Sequence, residues 1–428
     1  MSTPVHPVST SAAPGNTPQG EFRRGWRVVL AGLIGNGLSA GTLGFYTIGV
    51  FGPEIGREFH WSSGQITAGL LLNTLVVMIA VPIAGMLSDR FGVRRVVLAC
   101  TALVMPAYVG FALIDGSLWR YYLSWALVGL LGAGTFPPTW SRAINSRFQV
   151  HKGLALGISL CGTGISGAML KPFGFMMLAH FGWRTGYVAL GCLSLISFLV
   201  ALMFLFDVPK AAHPGAAAMP ATPADSAAAQ GPTLAMATRQ WRFWVLALAI
   251  GAAALAVGGP LPSVESILRE AGFSREQIIS LASMVGLSII LGRLGSSYLI
   301  DRLWAPLVAI VMVAAASLAM LALSWLKPSF EIAALTLIFI GATTGMEVDM
   351  APFLVARYFG SRHFAGIYGA LYGVFSICTG SGAVLFAVGH DRLGAYKSVL
   401  PLFSALLLGS GILLLLLGSY VYPSKASR

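Results

Sequence analysis

Ionisable side chains lie deep inside long apolar stretches of this sequence, where a charge is costly and is therefore a candidate for function. Arg293 lies eight residues before Asp301, so its Cα is expected roughly 12 Å of helix inside an apolar segment. Arginine suits a carboxylate ligand at such a depth, because the guanidinium donates two charge-assisted hydrogen bonds in a fixed fork. An ion pair with an acidic residue of another helix is the alternative.

Two carboxylates, Glu347 and Asp349, lie together in a second apolar segment. Because they are two residues apart, they point about 200° away from each other on a helix and cannot share one role. A carboxyl group held away from water can exchange a proton near neutral pH, so both are candidates for proton coupling. Glu347 is preferred because it is deeper, and an ion pair with Arg293 or with loop arginines is the alternative.

Lys171 and three polar side chains complete the candidate binding residues. Lys171 either attracts an anion or extends its ammonium group to the water interface. Tyr46, Asn73 and Tyr372 are candidates for lining a substrate cavity, although helix packing is the more common role for each one taken alone.

Enzyme chemistry is not indicated by any motif. The sequence has no phosphate-binding glycine loop with lysine, no paired-histidine metal spacing and no Ser-His-Asp set in a suitable context. The four cysteines all fall in apolar segments and are expected to be small packing residues. We therefore expect neither an enzyme nor an ATP-driven pump, and no cofactor and no metal.

The composition requires a bilayer as the solvent for most of the chain. Hydrophobic residues make up 56% and charged residues only 10%, against about 25% charged in soluble domains. The net charge of +12 could suggest nucleic acid, but its distribution fits membrane orientation, so no nucleic-acid partner is expected.

Twelve apolar segments are each about long enough to cross the hydrocarbon core. They organise the chain into a disordered tail (1–24), a six-helix bundle (25–206), a Pro- and Ala-rich linker (207–241), a second six-helix bundle (242–421) and a short tail (422–428). The predicted segments are 27–52, 64–87, 94–114, 119–141, 153–180, 184–206, 242–265, 277–299, 303–326, 330–356, 363–388 and 396–421.

The charge of the loops predicts the orientation. If the N-terminus is cytoplasmic, the cytoplasmic loops and tails hold roughly twice as many Lys and Arg residues as the opposite side. Both termini are therefore expected inside.

A repeated loop supports a duplicated architecture. The segment Gly85–Arg95 joins the second and third apolar segments, and a weaker copy, Ser297–Arg302, follows 212 positions later by the spacing of Asp89 and Asp301. Arg147-Phe148 and Arg357-Tyr358 lie at nearly the same offset. Halves related in this way typically rock about a central site. We assign a conformational role to the loop residues Gly85, Asp89, Arg90, Gly92, Arg94, Asp301 and Arg302.

The loop Gly85–Arg95 resembles the corresponding loop of the major facilitator superfamily of secondary transporters. Further stretches resemble its monocarboxylate transporters and bacterial oxalate–formate exchangers: Gly25-Trp26, Gly132–Pro138, Gly153–Gly157, Gly182-Trp183-Arg184, Arg293 and Arg357–Gly360. The resemblance implies an all-α membrane fold of two pseudo-symmetric six-helix bundles that works as a monomer. It also implies transport of small carboxylates, often with a proton, through an arginine in the eighth segment, which is Arg293 here.

Three departures limit what can be carried over. The family's animal members have a lysine in the first segment, where this chain has Phe45-Tyr46, and an aspartate one turn before the arginine, where it has Ile289. The oxalate exchangers have a lysine in the eleventh segment, and residues 363–388 contain none. With one firm buried cation, a monoanion is favoured over a dianion unless Lys171 faces the cavity.

The resulting hypothesis is a transporter that imports a monocarboxylate, lactate-like, aromatic or of the lactone type, with a proton across a bacterial inner membrane. An anion exchanger or a proton-coupled exporter of drugs or metabolites is the transport alternative. A transporter-like ligand sensor is the alternative outside transport, and a polytopic membrane enzyme is the weakest.

Overall fold

The computed structural model describes residues 18–145, 147–148, 152–205, 231–300, 302–325, 329–360 and 364–421. Within these residues the regular structure is helical, as predicted. The helices are α1 Pro18–Gly37, α2 Ala40–Phe59, α3 Ser63–Phe91, α4 Val93–Ala112, α5 Leu118–Leu131, α6 Pro137–Asn145, α7 Lys152–Phe204, α8 Leu234–Ala237, α9 Trp241–Gly258, α10 Val264–Glu270, α11 Arg275–Ile300, α12 Ala305–Trp325, α13 Phe330–Phe359, α14 Phe364–Leu393 and α15 Tyr396–Leu415.

Ten stretches of the described chain are long and apolar enough to cross a membrane. The predicted twelve crossings are nevertheless accounted for. One stretch, Leu154–Phe204, is 51 residues long and holds two crossings, and the crossing built from α5 and α6 is interrupted by a 3₁₀ turn at Ala133–Thr135. The first helix begins at Pro18, inside the predicted tail 1–24, whereas the rest of that tail, the linker residues 207–230 and the tail 422–428 lie outside the described residues.

The reversal inside α7 occurs at Gly182, whose φ of 77° and ψ of 170° are not helical. A positive φ of this kind favours glycine, because a Cβ would clash with the backbone. Phe51 of α2 lies close to both Gly174 and Gly186, so the chain passes the same ring before and after Gly182. Residues 152–181 and 183–204 are therefore two antiparallel crossings.

Three crossings are interrupted by short breaks in the α-helix, between α1 and α2, between α5 and α6, and between α9 and α10, and the last two breaks contain 3₁₀ turns. The backbone polar groups of Ala40, next to the first break, are satisfied by the second break and by α4. The Ala40 amide donates to Thr135 Oγ1 at 3.1 Å, and the Tyr108 hydroxyl donates to the Ala40 carbonyl at 2.7 Å. Irregular backbone at membrane depth requires such partners, since lipid offers none.

The repeated loop is compact at one end of the bundle. Gly92, with φ of 92°, is the single residue between α3 and α4. Arg142 of α6 donates to the Gly85 carbonyl, and Arg94 donates to the Leu202 carbonyl at 3.0 Å. We call this end the Gly92 end and the other the Gly182 end.

The two halves touch at two crossing points near the middle of the bundle. In one, a Cβ atom on Gly286 of α11 would overlap the backbone of Ala168 and Gly164 in α7. In the other, a Cβ atom on Gly380 of α14 would lie 2.9 Å from Thr74 Oγ1 of α3. The 212-residue offset relates Gly286 to Thr74, so the two crossings are pseudo-symmetric.

Beyond these crossings the two ends of the bundle differ. Toward the Gly182 end, Gly64 N donates to Asp391 Oδ2 at 2.9 Å and Arg275 Nη2 donates to the Phe175 carbonyl at 2.8 Å, joining the halves. Toward the Gly92 end, Gly157 and Gly373 have no described atom within 4 Å of an added Cβ. Each lies two turns from a crossing glycine on the same helix face, Gly157 from Gly164 and Gly373 from Gly380. Among the described residues the halves are therefore joined toward the Gly182 end and apart at Gly157 and Gly373 toward the Gly92 end, and we call this conformation closed at the Gly182 end and open at the Gly92 end.

We expect the substitution Gly286→Ala to force α7 and α11 apart and to destabilise the protein by about 1–3 kcal/mol, the usual cost of overpacking. Gly409→Ala is the matched control, because Gly409 of α15 has open space around an added Cβ. Thermal unfolding of the purified protein, followed by tryptophan fluorescence, measures both. Equal melting of the Gly286 variant and the wild type would contradict the close crossing.

Candidate substrate-binding site

Arg293 is buried, with 6% of its surface exposed, on the face of α11 that passes between the halves. It lies two turns from Gly286, which contacts α7, so both residues share that face. Its guanidinium is close enough to Tyr46 of α2 and Cys161 of α7 to interact with both electrostatically. These neighbours belong to the first half of the chain, whereas Arg293 belongs to the second, so the site lies between the halves.

Asp349 of α13 is the acidic partner of Arg293. Asp349 Oδ2 lies 3.2 Å from Arg293 Nε, and a quarter of the Asp349 side chain remains exposed. Arg293 Nε and Nη1 are buried, yet neither makes a hydrogen bond of acceptable geometry to a described residue. Buried guanidinium donors without acceptors are costly, so this site is suited to accept an anion with two oxygen atoms.

Small residues bring α11 and α13 close enough for this pair. A Cβ atom on Gly345 would lie 2.9 Å from Arg293 N, and one on Gly292 would overlap the backbone of Ala342. The helices therefore meet backbone to backbone, and a side chain one turn beyond Gly345 reaches Arg293. That side chain is Asp349.

Glu347 faces a different part of the protein. It is 7% exposed, its Oε1 atom has no hydrogen-bond partner among the described residues, and it interacts electrostatically with Cys378 of α14. Glu347 and Asp349 therefore point in different directions, as expected from their two-residue spacing. The structure brings Asp349 to Arg293 and leaves Glu347, the preferred proton-coupling residue of the sequence analysis, on another face.

A cavity of about 370 Å³ lies between the halves and is lined by α3, α14 and the break before α6. Its wall includes Asn73, Thr74, Val81, Phe136, Tyr372 and Phe375. Tyr368 links this cavity to Arg293, since its ring centroid lies 6.0 Å from that of Tyr372 and it interacts electrostatically with Asp349. Tyr368 thus lies between the Arg293 site and the aromatic rings of the cavity.

The three predicted cavity residues differ in exposure and in the contacts that hold their side chains. Tyr372 is 39% exposed and stacks on Phe375 at 5.7 Å. Asn73 donates its amide to the Trp125 carbonyl at 3.0 Å, so this group ties α3 to α5. Tyr46 lies against Gly167 at the crossing of α7 and α11.

Lys171 neither reaches the water interface nor lines the cavity beside Asn73 and Tyr372. It is buried at 1% exposure and pairs with Glu265 of α10, with Nζ 2.5 Å from Oε1. Of its two predicted roles, extension to the water interface is wrong for this conformation. Sequence reasoning missed Glu265, which is the last residue of the predicted seventh segment, 242–265.

Of the predicted loop residues, Arg90 and Arg302 are exposed at the Gly92 end, Gly92 and Arg94 are half-buried, and Gly85 is buried. Arg90 lies over the Phe91 ring at 5.2 Å, and Arg302 lies over the Tyr298 ring at 3.9 Å. The side chain of Asp89 and the whole of Asp301 lie outside the described residues. The conformational role of this loop stays a prediction.

Comparison with known proteins agrees with this architecture. Residues 34–387 match the family model of the Major Facilitator Superfamily. The chain belongs to this superfamily. It is therefore a multi-pass membrane transporter by family and not an enzyme.

The relatives include proteins of the monocarboxylate branch. Monocarboxylate transporter 13 of Bos taurus is 28% identical over 421 residues, covering 94% of this chain and 92% of that protein. Among solved structures, a D-xylose-proton symporter superposes with a TM-score of 0.70 at 13% identity over 92% of this chain and 97% of that chain. A bacterial homologue of the human lysosomal transporter Spinster superposes with a TM-score of 0.63 at 21% identity, covering 92% and 95% of the two chains. The sequence resemblance to the monocarboxylate branch is supported, and the structural neighbours support the fold.

Proposed function

We propose that this transporter carries a small monocarboxylate together with a proton across the bacterial inner membrane by alternating access. The observation that carries the proposal is the guanidinium of Arg293, buried between the halves with donors that no described residue satisfies. A carboxylate fits this group, because two of its oxygens accept from one guanidinium fork. The name of the bovine relative is consistent with that chemistry.

A monoanion is favoured over a dianion by the charges in the described site. Arg293 already has Asp349 at 3.2 Å, and the second buried cation, Lys171, is occupied by Glu265. The aromatic rings of the adjoining cavity, Phe136, Tyr372 and Phe375, suit an apolar body attached to the carboxylate. The substrate class is thus a monocarboxylate with an apolar or aromatic remainder.

The Gly92 end is assigned to the cytoplasm on the bias of Lys and Arg in the loops. In that orientation the conformation described above is open to the cytoplasm and closed to the outside. Both termini are then cytoplasmic. The loop around Gly85 and Gly92 and its copy at Arg302 lie where the two halves separate, which supports their conformational role.

Asp349 is the better of the two candidates for proton coupling. It competes with the substrate carboxylate for the same guanidinium, so a proton on Asp349 leaves Arg293 free to bind the anion. Glu347 is buried away from Arg293 and has no comparable link to anion binding.

Uptake into proteoliposomes tests the role of Arg293. We expect a panel of labelled monocarboxylates to include substrates whose uptake is stimulated by an inward proton gradient and falls at least about tenfold in Arg293→Ala, since a buried charge partner is lost. Arg120→Gln is the matched control, because Arg120 is an exposed arginine paired with Asp115. Uptake at the wild-type level in Arg293→Ala would overturn the site. Uptake driven only by internal carboxylate would establish exchange in place of symport.

The pH dependence of anion binding tests Asp349. By linkage, proton binding to Asp349 and anion binding to Arg293 favour each other, so affinity rises as the pH falls, by at most about tenfold per pH unit. Lactate is a suitable probe, because it stays ionised across about pH 5.5–7.5.

We expect Asp349→Asn to abolish this pH dependence and to bind lactate as tightly as the wild type does at low pH. Glu347→Gln is the control and keeps the pH dependence of the wild type. The opposite pattern, with dependence lost in the Glu347 variant and kept in the Asp349 variant, would assign the proton to Glu347.

A further inference from the structure

The ion pair of Lys171 and Glu265 joins the two halves of the protein at the Gly182 end. Lys171 belongs to the first crossing of α7, and Glu265 belongs to α10, the outer part of the seventh crossing. Among the ion pairs of the described residues, it is the one with both side chains almost fully buried, at 2% and 0% exposure. The pair therefore forms part of the seal between the halves.

The position of Lys171 on α7 relates the pair to the rocking motion. Gly157, Gly164 and Lys171 follow one another at seven-residue intervals, so they lie on one face of the helix. Gly157 faces open space, Gly164 contacts α11, and Lys171 reaches Glu265. The same face is thus open on one side of the crossing and joined by an ion pair on the other.

The first half of the chain packs tightly around Glu265 when the Gly182 end is closed. A Cβ atom on Gly49 of α2 would overlap Glu265 Oε2, so the first half packs directly against this carboxylate. Glu265 Oε2 makes no hydrogen bond to a described residue. The desolvation cost of a buried ion pair can equal or exceed the attraction between its charges, so net stabilisation of the fold does not account for this pair.

We propose that the Lys171–Glu265 ion pair is the latch that holds the Gly182 end closed, and that it must separate each time the transporter opens toward that end. In the closed arrangement the two charges satisfy each other away from water. In the opposite arrangement the halves part at this end and water solvates each charge separately. This proposal does not depend on the identity of the substrate.

The latch predicts a shift in conformation when one partner is neutralised. In Lys171→Gln or Glu265→Gln, the remaining charge is buried without a partner when the Gly182 end is closed, so the open arrangement is favoured. We expect the ratio of open to closed molecules at this end to rise about tenfold or more. The charge swap Lys171→Glu/Glu265→Lys restores the pair and is expected to restore the closed arrangement in large part.

Distances between spin labels measure this ratio directly. Labels at Arg57 of the first half and Arg392 of the second, both exposed at the Gly182 end, report its opening in a variant whose four cysteines are replaced by alanine. The control is Arg120→Gln, which breaks an exposed pair inside the first half near the same end and is expected to leave the distances unchanged.

A further double variant separates a latch from a requirement for folding. Lys171→Met/Glu265→Leu replaces the pair by apolar side chains that need no partner, so it is expected to fold and to stay closed at the Gly182 end. Its transport turnover is expected to fall, because apolar groups resist exposure to water when this end opens. Wild-type distances in both single variants, or a charge swap no better than the single variants, would overturn the proposal.

Discussion

The guanidinium of Arg293 is the constraint on which the rest of the site depends. A positive charge at this depth needs compensation, and in the described structure Asp349 supplies one carboxylate at 3.2 Å while two guanidinium nitrogens remain without hydrogen bonds. The close approach of α11 and α13 at Gly345 places the pair, and in the proposed function an anion reaches it through the gap between the halves. Because hydrogen-bond donors of Arg293 are unsatisfied in this structure, an anion with acceptor oxygens would complete the site.

The two halves have corresponding positions where they meet, but the residues at one such pair of positions differ in charge. The 212-residue offset relates the crossing glycine Gly286 to Thr74, and both lie where the halves meet. The same offset relates Arg293 to Val81, which lines the cavity between the halves as an apolar residue. In the proposed function the two halves therefore present corresponding surfaces to the substrate, one with a charge and one without. A carboxylate with an apolar body matches that polarity.

The features with a local signal were predictable from the sequence. The lengths of the apolar segments predict the membrane crossings, and the repeated loop predicts the duplication. Arg293 is a candidate because it is an arginine inside an apolar segment. The α1–α2 break was not predicted, because the segment was recognised by its apolar length, and the Thr135 hydroxyl that accepts a hydrogen bond from the Ala40 amide is 95 residues away in the sequence.

The sequence also did not predict which buried charged residues contact each other. The two-residue spacing separates Glu347 from Asp349 but does not say which one faces Arg293, since that depends on the packing of α11 on α13. Glu265 is 94 residues from Lys171, and nothing near either residue in the sequence points to the other.

The most direct test of the central claim is a distance between the bound anion and the arginine side chain. In membranes containing ¹⁵N-arginine-labelled protein and lactate labelled with ¹³C at the carboxylate, solid-state NMR recoupling measures this distance. A carboxylate held by the Arg293 fork lies within about 4 Å of guanidinium nitrogen, and that signal is absent in Arg293→Lys. A signal of the same strength in Arg293→Lys, or no signal with lactate bound, would contradict the account.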